Sequence, residues 1–157
     1  MSKGRRSAGL LLFRRTGDAG VEVLVVHPGG PFWARKDLGA WSLPKGEYDD
    51  DEDPGVCARR EFAEELGTAP PDGELFDLGE VRLKSGKVVV AWAVEGDLDV
   101  DTVVSNVFET EWPPRSGRRQ EFPEVDRAEW FPLDEARQRL NPAQAAFVDR
   151  LEALLAG

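Results

Sequence analysis

Apolar positions along this chain follow two rhythms. "SAGLLLFRR" (7–15) and "VEVLVVHP" (21–28) are short, dense apolar runs separated by "TGDAG". They predict two strands joined by a turn. "ELFDLGEVRLKSGKVVVAWAVEG" (74–96) predicts a hairpin that turns at Ser85-Gly86. A further strand is expected over "VVSNVFETEW" (103–112) and a short one over "AEWF" (128–131). Between them, "PPRSGRRQEFPEVD" (113–126), with its adjacent prolines and its glycine, reads as a loop. "GGPFWARKDLGAW" (29–41) reads as a glycine-rich loop that carries two tryptophans and leads into "WSLP".

The helical rhythm takes over in three places. Residues 54–66 predict a helix with Asp53 as N-cap, Pro54 at its first position and Gly67 at its C-terminal turn-out. "LDEARQRL" (133–140) and "NPAQAAFVDRLEALLAG" (141–157) predict two more, the last with Asn141 as N-cap and Pro142 at its first position. Strands and helices mix without strict alternation. A mixed sheet flanked by helices follows, in the α/β class.

The first helix carries a charge pattern that needs a cause. At about 100° per residue, Glu61, Glu64, Glu65 and Cys57 share one face, and Ala58, Phe62, Ala63 and Leu66 another. Like charges at this spacing repel and weaken a helix. A solvated acidic face is the bland explanation, and a bound cation is the functional one. An EF-hand is excluded, because Pro54 stands where its turn needs Gly and Arg60 where its last ligand belongs. No phosphate-binding Gly-Lys-Ser/Thr loop occurs either.

The wider spacing around this helix resembles a known signature. Gly46, five residues, Glu52, seven residues and then "REFAEELGT" (60–68) fit the Nudix box, G-x5-E-x7-R-E-U-x-E-E-x-G-U, with U bulky and aliphatic. All seven fixed positions match, and Phe62 and Thr68 are loose fits at the two U sites. The resemblance implies an α/β/α sandwich around a mixed sheet, spanning residues 1–157 as a single domain. It implies a hydrolase of nucleoside diphosphates linked to another group, dependent on Mg²⁺ or Mn²⁺. Glu61, Glu64 and Glu65, with the Gly46 carbonyl, are then the expected metal ligands. Arg60 and Glu52 are expected to pair and hold the loop against the helix.

Substrate contacts are read from the same resemblance. "LPKGE" (43–47) is similar to the "PKG" of the diadenosine tetraphosphate hydrolase branch, which makes Lys45 a phosphate contact and dinucleoside polyphosphates the expected substrate. Trp33, Trp92 and Trp112 are candidates to stack on a base, Arg35 and Arg118 candidates to meet substrate. A carboxylate outside the box is expected to act with the helix carboxylates on the attacking water. Glu124 is the first choice and Glu121 the second. His27 ends an apolar strand and reads as structural.

Composition narrows the partners. The chain has 157 residues, 41% hydrophobic and 32% charged, as in an ordinary globular protein. No apolar run is long enough to span a bilayer, and "LLLF" is too short for a signal-peptide core. The single cysteine, Cys57, fits a reducing cytoplasm. A formal net charge of −10 argues against a protein that coats DNA. A small nucleotide is the expected partner. The 5′ end of RNA stays open because of the basic "RSGRR" (115–119), as does a non-catalytic nucleotide-binding regulator. The oligomeric state is not legible.

Overall fold

A computed structural model describes residues 6–17 and 20–157. The chain start (1–5) and two residues of the first predicted turn (18–19) lie outside them. Eight strands and three helices follow in order. They are β1 (Arg6–Arg15), β2 (Val21–Pro28), β3 (Lys45–Glu47), α1 (Pro54–Leu66), β4 (Phe76–Arg82), β5 (Val88–Glu95), β6 (Val107–Glu111), β7 (Arg119–Pro123), β8 (Val125–Pro132), α2 (Leu133–Arg139) and α3 (Ala145–Ala156).

Strand β1 is the centre of a mixed six-stranded sheet ordered β4-β5-β1-β2-β8. It runs parallel to β5 and antiparallel to β2, and its first half also pairs with β3, Ala8 opposite Gly46. The dense apolar run in β1 has a plain cause, since both faces of the sheet are covered. Leu11 and Phe13 point to one side, where Val23, Val25, Phe147, Val148 and Leu151 complete a core under α2 and α3. Ala8, Leu10 and Leu12 point to the other, against Cys57, Ala58, Phe62 and Leu66 of α1. The result is the α/β/α sandwich around a mixed sheet. Among the described residues no helix is long and apolar enough to cross a membrane.

Helix α1 has the limits its sequence dictates. The Asp53 carboxylate accepts from Val56 N at 3.0 Å, and Gly67 closes the other end with φ 75° while donating to Ala63 O. Cys57 departs from its expected face. It is fully buried beneath β3, on the side packed against the sheet.

Three boundaries also differ from expectation. Strand β6 covers only the second half of 103–112. The segment expected to be all loop holds β7, paired antiparallel with β6 from Val107↔Pro123 to Glu111↔Arg119. This hairpin stands apart from the main sheet, its polar side chains in solvent, so it lacks the apolar alternation that marks a half-buried strand. Helix α3 starts at Ala145. Asn141 caps a preceding turn, accepting from Ala143 N at 3.1 Å.

Gly67 is a place where backbone freedom is required. A Cβ there would sit 2.5 Å from Val104 O, on a residue whose φ is already positive. Gly67→Ala is expected to lower unfolding free energy by about 1 kcal/mol or more. Urea denaturation checks this, and an unchanged midpoint contradicts it.

Candidate active site

Glu61, Glu64 and Glu65 leave α1 on its flank and are all half-buried. Strand β3 runs beside them. Gly46 lies against Glu61 so closely that a Cβ there would meet Glu61 Cδ at 2.0 Å. Bare backbone at residue 46 is therefore what makes room for this carboxylate. The Gly46 carbonyl lies 3.5 Å from the Cys57 thiol, which donates to it, so it is engaged with the buried side of α1. Arg60 ties the box together. It donates to the Glu52 carboxylate and lies 3.4 Å from Glu61 and 3.9 Å from Glu64.

Lys45 and Glu65 form the inner edge of the site. Burial pushes the Glu65 carboxyl up to about 8, Glu61 and Glu124 push it the same way, and Lys45 opposes them. Burial lowers the Lys45 ammonium, as does neighbouring Lys87, against the pull of Glu65, Glu47 and Glu61. Glu124 is raised by burial first and then by Glu61 and Glu64. Four carboxylates thus feel one another across α1 and the β7–β8 connection.

The backbone explains how Glu124 arrives there. Asn106 N donates to Glu64 O at 3.1 Å, Glu124 N to Asn106 O at 2.8 Å, and Gly29 N to Glu124 O at 2.9 Å. This relay fastens residue 124 to the last turn of α1 on one side and to the end of β2 on the other. Glu121 takes no part in it. It is exposed on β7 opposite Glu109.

A cavity of about 570 Å³ opens where these elements meet. Lys45, Glu65, Glu124 and Trp33 line it together. Arg35 and Arg118 are exposed and lie outside its lining. Trp92 packs into the core under α1, and Trp112 meets Phe32 edge-on at 5.5 Å. Neither reaches the cavity, because each ring is spent on packing. His27 is buried, with Nδ1 2.8 Å from Asp126 Oδ1 and Nε2 2.5 Å from Lys36 O. It fastens the loop that carries Trp33.

Sequence reasoning missed Lys84, Ser85, Lys87, Asn141 and Gln144, all of which line the same cavity. "KSGK" registers as a turn, and only the β4–β5 hairpin's position over β3 brings its lysines to the site. Lys87 Nζ holds Glu47 at 2.9 Å. Gln144 carried no signal beyond its place in the first turn of a predicted helix.

Among the described residues no three His, Cys, Asp or Glu side chains are gathered to hold an ion at once. Arg60 instead reaches Glu52, Glu61 and Glu64. The donor set still suits a hard dication in kind. It is oxygen only, and Glu65 and Glu124 hold their protons more tightly through burial and the neighbouring carboxylates, a repulsion that a cation would relieve.

The Glu65 shift fixes a pH dependence in metal-free buffer. The folded chain keeps this proton up to about 8, whereas the unfolded chain loses it near 4.5. Its contribution to stability is full below 4.5 and is lost as pH rises towards 8. Unfolding of wild type and Glu65→Gln between pH 5 and 8 is expected to show the wild type losing stability relative to the variant. Parallel pH profiles contradict the assignment.

Comparison with known proteins bears on the family and the fold. The NUDIX domain model matches residues 3–151. An RNA pyrophosphohydrolase from Gluconacetobacter diazotrophicus is 37% identical over 83 residues, 47% of this chain and 47% of that protein. The match therefore spans about half of that relative. The C. elegans Ap4A hydrolase binary complex superposes with TM-score 0.68 at 20% identity, covering 96% of this chain and 98% of that one. The NUDIX domain of Shewanella oneidensis NrtR complexed with ADP ribose gives TM-score 0.67 at 20% identity, covering 99% and 90%. Both structures speak for the fold alone. With the domain model matched over nearly its whole length, the chain belongs to the NUDIX domain family.

Proposed function

We propose that the chain hydrolyses a phosphoanhydride bond of a nucleotide, with dinucleoside polyphosphates such as diadenosine tetraphosphate as its substrates. One observation carries this reading. Glu65 of α1 and Glu124 share one cavity with Lys45, Lys84 and Lys87 and with an aromatic ring, Trp33. Acids alone would repel a polyphosphate, and bases alone would leave the attacking water unactivated.

Glu61, Glu64 and Glu65 are the side chains that would hold Mg²⁺ or Mn²⁺, which when bound screens phosphate charge and acidifies water. Lys45 and Lys87 meet the phosphate chain from β3 and the β4–β5 hairpin. Trp33 offers a face to one base. Glu124, whose affinity for a proton is raised by burial and by Glu61 and Glu64, accepts the proton of the water whose oxygen bonds to phosphorus, while the bond from that phosphorus to the leaving phosphate breaks. A tetraphosphate then yields a nucleoside triphosphate and a monophosphate. Arg60 and Glu52 act through position, keeping the loop of residues 48–53 against α1.

The curated relative's name supports a second reading, cleavage at the 5′ end of RNA. The exposed Arg115, Arg118 and Arg119 at the β6–β7 hairpin suit a longer chain of phosphates. A regulator without catalysis is the weaker alternative, since every box carboxylate is retained. The buried free thiol of Cys57 fits a reducing cytoplasm.

Glu64→Gln and Glu65→Gln are each expected to cut turnover with Mg²⁺ by at least about 100-fold in a folded protein. Near-normal rates in both would end the metal-site reading. Glu124→Gln is expected to lose rate and the acidic limb of its pH profile, while Glu121→Gln keeps both. The reverse pattern would move the role to residue 121. A panel of dinucleoside polyphosphates, sugar nucleotides and 5′-triphosphorylated RNA decides the substrate, with activity confined to the last two overturning this choice.

A further inference from the structure

The cavity has polar groups that the phosphate chemistry does not use. Gln144, only 2% exposed, lines it from the turn before α3. Its Oε1 accepts from Leu43 N at 2.9 Å and from Ser42 Oγ at 3.3 Å. The backbone donor at Leu43 fixes which end of the carboxamide is oxygen, so the other end is the amide nitrogen. Nε2 has no acceptor among the described residues. No side-chain nitrogen or oxygen of the described residues is both fully buried and unpartnered. Nε2 is therefore not fully buried, and the cavity is the opening that Gln144 lines.

Asn141 repeats the pattern three residues earlier. Its Oδ1 accepts from Ala143 N at 3.1 Å, and its Nδ2 has no acceptor among the described residues. It too lines the cavity. Both carboxamides have an oxygen bound to backbone and an amide nitrogen without an acceptor among the described residues, so each presents a donor to a ligand. Around them the wall is largely apolar, with Val26, Ala40, Trp41 and Leu43. A donor in such a wall penalises any ligand that gives it no acceptor.

We infer that Gln144, with Asn141 beside it, selects one base of the bound dinucleotide and favours a 6-oxopurine over adenine there, so that guanine-containing dinucleoside polyphosphates are preferred to diadenosine tetraphosphate. Guanine presents two adjacent acceptors, N7 and O6, whereas adenine sets the N6 amino donor beside N7. An N6 amino group would face an amide donor. That amide cannot turn over without stripping Leu43 N of its acceptor. Sites that hydrogen-bond a substrate group reject the analogue lacking it more strongly than apolar pockets do. This inference rests on the cavity being the nucleotide site and does not depend on hydrolysis.

The test uses binding of GMP, IMP and AMP to the whole chain, followed by tryptophan fluorescence. These ligands have no phosphoanhydride bond, and IMP keeps O6 and N7 without the guanine amino group. GMP and IMP are expected to bind about tenfold or more tighter than AMP. Gln144→Glu keeps an oxygen for Leu43 N and replaces the free donor by an acceptor. In that variant the preference is expected to fall to parity or reverse. Asn141→Asp, which keeps the Ala143 bond, is expected to narrow it. Equal or tighter binding of AMP by wild type, or an unchanged ratio in both folded variants, overturns the inference. No binding of any of the three removes the nucleotide site itself and with it the proposed function.

Discussion

The burial of Glu65 beside Lys45 is the constraint on which the site depends. A carboxyl in that position is pushed up to about 8 because water is excluded and because Glu61 and Glu124 face it. The lysine is lowered for the matching reason, with Lys87 as its neighbour. An isolated chain gains little from such crowding, and functional sites are where proteins accept it. The surroundings hold it in place. Gly46 leaves room for Glu61 against β3, Arg60 joins the box loop to the helix, and four buried side chains of α1 anchor it to the sheet.

What faces this cluster comes from elsewhere in the chain. The relay Glu64–Asn106–Glu124–Gly29 is made of backbone hydrogen bonds, so it positions Glu124 whatever side chains flank it. The β4–β5 hairpin supplies lysines from above β3, and the turn before α3 supplies the carboxamides. The cavity is therefore shared among the sheet, α1 and four connections. Its chemistry divides accordingly, with acids on α1 and the β7–β8 connection, bases on β3 and the β4–β5 hairpin, and neutral donors in the turn before α3.

Local signals made part of this legible. Asp53, Pro54 and Gly67 bracket α1 because capping is a matter of adjacent residues. The dense apolar run of β1 announced a strand. The box glutamates could be placed on one flank by period alone. Strand β7 could not be found this way, because a solvated ribbon needs no apolar alternation. Cys57 was misplaced because it sits at the border of two faces, where a helical wheel does not decide. Lys84, Lys87 and Gln144 were invisible for a different reason. Their role comes from where tertiary packing brings them, not from any residue near them in sequence.

Proton release on metal binding measures the central constraint directly. Mn²⁺ is titrated calorimetrically at pH 7 in buffers of different ionisation enthalpy, which counts the protons displaced per ion. A Glu65 carboxyl held up to about 8 must give up its proton to become a ligand. About one proton per first ion is expected at pH 7, falling towards none well above pH 8, and abolished in Glu65→Gln. Binding without proton release at pH 7, or the same release from Glu65→Gln, would contradict a site built around a protonated Glu65.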